Sequence, residues 1–204
     1  MKLKTFYKIF YEHRLLKANL IKKIYILFCL PFNYLLNKIF LENKKDLEVL
    51  SKKKEFFEKD LNYLFENFNS DKGELYVNQY QKPIKRNKKK IKGHKYHEFY
   101  EDYFCDLKDK DIDILEIGAF KGNATASFYF YFQKAKITSV DIFPDLFRYK
   151  SNRIKNFFLD NSKESELKKK IIEPNLKFNI IIEDAGHYLK DQIISLFILF
   201  RSLK

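Results

Sequence analysis

The residues that could do chemistry fall at the ends of short apolar runs. In DILEIGAFKGNA the run 112–117 reads as a buried strand carrying Glu116 and, just past it, Gly118, with Gly122 four residues on and a helix expected over 123–133. A glycine after a strand permits a tight turn, and a second lets a ligand or helix approach the backbone closely. Twenty-three residues beyond Gly118, a second strand, KITSVDIFP, ends in Asp141, placed to accept the two hydroxyls of a ribose. KNFFLDNS supplies a third strand ending at Asp160 and Asn161, and FNIIIEDAGH a fourth ending at Glu183, Asp184 and His187.

Four such strands with helices between them predict an α/β fold. It is a Rossmann-like parallel sheet of about four strands, helices on both faces, with its polar strand ends along one edge. That edge is where nucleotide-like ligands bind in open α/β sheets. Each residue also has a plain structural reading. Glu116 and Gly118 could form an ordinary strand-end turn, and Asp141 could cap the helix that follows. Asp160 could cap a helix over 162–170, and His187 could be a hydrogen-bonded loop residue.

Composition bounds the alternatives. The chain has 204 residues, room for one domain and an appendage, and a formal charge of +13. Much of that charge lies in the first sixty residues and in the acid-free run 82–95. Such a run is either a solvated loop or a binding element for phosphate-rich partners. It lacks the interleaved aromatics of a base-stacking surface, which makes nucleic acid the weaker reading. Cys29 and Cys105 match neither metal-ligand nor disulfide spacing, which points to a reducing, cytoplasmic compartment.

Residues 1–69 are expected to be helical throughout, with 44–68 one amphipathic helix and Pro31 ending or kinking an earlier one. The apolar window 24–40 is too short and too interrupted for a transmembrane span. Residues 20–40 are a candidate for peripheral contact with the inner face of a membrane, or else for packing on the main domain or a second subunit. Next come a turn, the basic run and an aromatic helix over 94–104, together spanning 70–110. In that helix Tyr96, Phe99, Tyr100 and Tyr103 share a side, and its histidines, His94 and His97, read as packing or surface residues. The strand–helix alternation fills 111–204.

Taken in order, SDKG, an HxYxxxYxxxF-like helix, LEIGxxxG, VDI and EDAGH resemble the class I S-adenosylmethionine-dependent methyltransferases. Within that class the resemblance is to the branch of macrolide-sugar O-methyltransferases, and it covers residues 70–204. It implies S-adenosylmethionine as cofactor and a sugar or glycoconjugate hydroxyl as methyl acceptor. Glu116, Gly118 and Gly122 would then hold the methionine end, Asp141 the ribose, and Asp160 with Asn161 the adenine. Asp184 would bind Mg2+ and His187 would act as general base. Asp71 and Lys72 could close over the cofactor or simply form a turn.

The sequence departs from the family pattern in three places. Lys121 and Asn123 stand where small residues are common, and the glycine of the DDGSH element is shifted by one. The family's Pro-Gly-Gly turn and the acidic strand end beyond it do not appear before Lys204. A truncated site of this kind predicts weak metal binding and a bare sheet edge that a second copy or a complementing chain would cover. Two other readings stay open: a non-catalytic cofactor-binding remnant or half of a split enzyme, and a basic membrane- or nucleic-acid-associated interaction protein. A dinucleotide cofactor is weaker, because it leaves the EDAGH element without a role.

Overall fold

Alternating apolar residues give the central strands two buried faces, and the helices sort to either side accordingly. The computed structural model describes residues 3–7, 15, 19–39, 44–52, 55–77 and 89–204. They form two compact units, Met1–Lys44 and Lys45–Lys204.

In the first unit α1 (Leu3–Tyr7) buries Phe6, whose ring meets Tyr34 edge-on at 5.5 Å. α2 (Leu20–Ile39) runs through Pro31 without ending there. A proline removes one intrahelical hydrogen bond, and the surrounding residues carry the helix past that loss.

The second unit begins with β1 (Lys45–Asp46), α3 (Leu47–Ser51) and α4 (Leu61–Phe68). The single helix expected over 44–68 is therefore two. Each starts at an aspartate: Asp46 accepts from the Glu48 and Val49 amides, and Asp60 from the Tyr63 amide at 2.7 Å. A side chain that caps amides two or three residues ahead starts a new helix at that point. After β2 (Leu75–Val77) and β3 (Lys90–Lys92), an antiparallel pair, come α5 (Tyr96–Phe104), β4 (Asp113–Ile117) and α6 (Asn123–Tyr131). Most of the basic run 82–95 lies outside the described residues.

β5 (Lys136–Asp141), β6 (Tyr149–Lys150, paired parallel with β1) and β7 (Ile154–Phe158) follow. The chain then forms α7 (Glu164–Leu167), a π-type turn through Lys168–Ile172, β8 (Ile180–Glu183) and α8 (Leu189–Leu199). The main sheet is parallel, in the order β7-β5-β4-β8.

α6 is buried on every side, the pattern of a helix sandwiched between layers. It lies between one sheet face (Ile114, Ile137, Ile180) and α4. Phe68 stacks on Phe130 at 5.5 Å and Phe65 meets Phe128 edge-on, pairs worth about 0.5–1.5 kcal/mol each beyond simple burial. Leu115, Ile117 and Val140 on the opposite face pack with Leu167, Ile171 and Leu199. Arg153 closes the end of α6, donating to the carbonyls of Tyr129, Phe132 and Ala135 at 2.9–3.0 Å.

The strand order decides where a ligand can enter. From β4 the chain steps outward to β5 and β7, then returns to place β8 on the other flank of β4. The order reverses between β4 and β8, and the crevice above their carboxyl ends is the topological switch point.

Candidate functional site

A cavity of about 260 Å3 opens at that switch point. It is near the low end of the roughly 300–1,000 Å3 of small-molecule sites, enough for part of a nucleotide-sized ligand. Glu116 and Gly118 reach it from β4, and Asp184, Ala185 and His187 from β8. Asp71 and Lys72 come from the turn after α4, and His94 and Tyr96 from the start of α5.

Glu116 is fully buried and accepts a short hydrogen bond from Thr125, whose hydroxyl also lies 3.0 Å from Ser139. Burial raises its carboxyl to about 7, against the opposing pull of the Thr125 bond and the Lys72 charge. Gly118 has a φ of 88°, and a Cβ there would lie 2.2 Å from the Asp184 carbonyl oxygen, so only glycine lets β8 come this close to the turn. Gly122 begins α6 at a φ of 77°, and its missing side chain is filled by the Phe147 ring.

Asp141 lies beside this cavity without lining it. One carboxylate oxygen accepts the Phe143 amide at 2.7 Å and the other the Phe120 amide at 2.8 Å. Burial raises its pKa in spite of these two bonds. Asp160 is spent locally, on Ser162 and Lys163, while the Asn161 amide donates to Glu183 at 3.0 Å. The structure thus brings Glu116, Gly118, Asp184 and His187 together and sets Asp160 and Asn161 into the adjoining loop.

The residue that sequence reasoning undervalued is Lys72. α4 ends in a Schellman motif: Asn69 is left-handed at φ 60°, its amide bonds Glu66, and the Ser70 amide bonds the Phe65 carbonyl at 2.7 Å. That turn aims Lys72 inward, where it is 3% exposed and its ammonium bonds Asp184 Oδ2. Burial alone would lower its pKa, but Asp184 and further acids outweigh that and raise it, so it stays charged. Asp71 Oδ1 is 4.0 Å from the same nitrogen. On the other side of Asp184, His187 Nε2 stands 3.7 Å from Oδ1. His187 is 69% exposed and takes the left-handed conformation, φ 56°. Tyr96 is 44% exposed and lines the cavity stacked on His94, while Tyr100, on the same side of the helix, packs inside against Phe65 and Phe128.

Glu116 and the Gly118 turn, with the Asp141 carboxylate beside them, form a donor set whose chemistry fits S-adenosylmethionine. It does not fit Mg2+. Magnesium takes oxygen ligands in a near-octahedral shell, whereas Asp184 has a lysine ammonium as its partner. The His, Asp and Glu side chains that lie close enough to share an ion, among the described residues, are Glu74, His97 and Glu98, and Lys95 already bridges the two glutamates.

The chain has a Rossmann-like α/β fold built on a parallel sheet. Among solved structures it is similar to the methyltransferase MycE of the mycinamycin biosynthetic pathway, in complex with Mg and SAH. That match has 19% identity and a TM-score of 0.50, covering 72% of this chain and 32% of the other. A second structure of that enzyme, with Mg, SAH and mycinamycin VI, matches at 22% identity and TM-score 0.45, covering 53% of this chain and 29% of the other. The chain thus spans about a third of the length of the solved protein it resembles. No family profile and no curated protein matches the sequence.

Proposed function

We propose that the protein is an S-adenosylmethionine-dependent O-methyltransferase acting on a hydroxyl of a sugar or glycoconjugate. The observation that carries this reading is the meeting of Glu116 and Gly118 with Asp184 and His187 around one cavity at the switch point. Glu116 and the Gly118 turn would hold the methionine end, and Asp141 would reach the ribose through the lone pairs its two backbone bonds leave free. Asp160 and Asn161, being engaged locally, would contribute less to the adenine. When bound, the cofactor supplies an electrophilic methyl group. His187 accepts the proton of the attacking hydroxyl, and Asp184, held by Lys72, faces the imidazole as its charge changes. Tyr96 and His94 offer a flat aromatic wall to the acceptor.

The partner reading is a strand added along β8. β8 is an edge of the main sheet among the described residues, and α8 beside it exposes Leu196, Phe197 and, just after it, Phe200. Pairing there has already begun, with the Phe178 amide on the Ser202 carbonyl and the Lys204 amide on the Phe178 carbonyl. A second copy or a complementing chain would extend that ladder. Peripheral membrane contact would fall to α2, which exposes Ile24, Phe28 and Phe32; among the described residues no helix is long and apolar enough to cross a membrane.

Calorimetric titration with S-adenosylmethionine and S-adenosylhomocysteine tests the reading. Micromolar binding that Asp141→Ala abolishes supports it. A folded chain that binds neither compound refutes it.

A further inference from the structure

We propose that the Lys72 ammonium is the resident cation of this site, balancing Asp184 from within the chain and keeping divalent ions off it. The inference deepens the methyltransferase reading and rests on it for the site's purpose, though not for its geometry. Lys72 Nζ bonds Asp184 Oδ2 and lies 4.0 Å from Asp71 Oδ1, so it occupies the space between two carboxylates that a bound dication would need. Both are only part-exposed, at 26% and 30%, which leaves limited room for the waters magnesium retains.

The backbone holds the lysine there. On one side the Schellman turn fixes residues 69–70. On the other, the His94 amide bonds the Asp71 carbonyl at 2.7 Å and the His97 amide bonds the Lys72 carbonyl at 3.2 Å. Between these, a Cβ on Gly93 would come within 2.1 Å of the Gly73 carbonyl oxygen, so the two segments touch backbone to backbone. A surface lysine swings away when a metal arrives, but this one is 3% exposed and enclosed. Lys72 is on this view a positioning residue: it orients the Asp184 carboxylate toward His187 as a metal ion otherwise would, without needing a metal supply.

Electron paramagnetic resonance of Mn2+, titrated into the full chain, reads this directly. The wild type is expected to leave Mn2+ free into the millimolar range. Lys72→Met, which keeps length and removes charge, is expected to bind Mn2+ more tightly by about tenfold or more. Adding Asp184→Asn should abolish that gain, and Lys72→Arg should behave as wild type. Micromolar Mn2+ binding by the wild type that Asp184→Asn removes would overturn the proposal, as would a folded Lys72→Met protein with no gain in affinity. Should Lys72→Met fail to fold, the wild-type and Asp184→Asn titrations still decide. S-adenosylhomocysteine titrated into the wild type, with EDTA or with Mg2+, is expected to bind equally in both. Its failure to bind in either would refute the methyltransferase reading and leave the Mn2+ result to judge Lys72 by itself.

Discussion

Asp141 and Phe120 are joined across the glycine turn by a 2.8 Å hydrogen bond from the Phe120 amide to the Asp141 carboxylate. Phe120 has a φ of 47°, so the acid at the end of β5 holds a backbone conformation that the turn after β4 would not readily keep alone. Asp141 therefore shapes the cavity as well as offering oxygens to a ribose. Asp141→Asn preserves one acceptor and loses the other, and it is expected to cost roughly 1–3 kcal/mol in urea denaturation. Affinity for S-adenosylhomocysteine, read by calorimetry, should fall at the same time. Loss of affinity with unchanged stability would assign the acid to the ligand alone.

Glu116 predicts a pH dependence. Its carboxyl is raised to about 7 in the folded state by burial, against an ordinary value of 4.5. The folded form holds this proton more tightly than the unfolded form, so the contribution of Glu116 to stability is greatest below about pH 4.5 and falls as pH rises through 7, by on the order of 3 kcal/mol. Glu116→Gln should remove that slope. Denaturation midpoints of the two proteins from pH 5 to pH 8 make the comparison, and parallel curves would disprove the assignment.

His187→Asn isolates imidazole chemistry, because asparagine tolerates the positive φ at this position. Turnover on an acceptor is expected to fall by roughly 10²- to 10⁴-fold. Binding of S-adenosylhomocysteine should be unchanged. A comparable loss of binding would show that the histidine shapes the pocket instead.

Arg153→Met removes both the guanidinium that lies over the Tyr129 ring and its hydrogen bonds to the carbonyls that end α6. A loss of about 2 kcal/mol is expected in thermal or urea unfolding. Cofactor affinity should not move, since Arg153 does not line the cavity.

The strands were legible because short apolar runs ending in acids at βαβ spacing have few other solutions. Glu116, Asp184 and His187 were legible for the same reason: a side chain at the end of a parallel strand meets its neighbours whatever the loops do. The division of 44–68 was harder to see, since its apolar spacing is continuous and only the capping geometry at Asp46 and Asp60 interrupts it. Lys72 was the hardest. Nothing local distinguishes a buried lysine from a solvated one in a lysine-rich chain, and its role depends on Asp184, 112 residues away. The signal that could have found it is the pairing of a Schellman-type ending, Asn-Ser, with a cation two residues on. Helical spacing groups Tyr96 with Tyr100 and does not separate them, whereas α5 turns only the latter inward.

The contact between Gly73 and Gly93 has a consequence for how the protein can change over time. The chain leaves and re-enters at one pinned crossing, reinforced by the Leu75↔Lys92 and Val77↔Lys90 register. A side chain added at either glycine would pry that crossing apart and loosen the wall behind Lys72 before touching any group that could do chemistry, so the two positions least able to react are among the least free to vary.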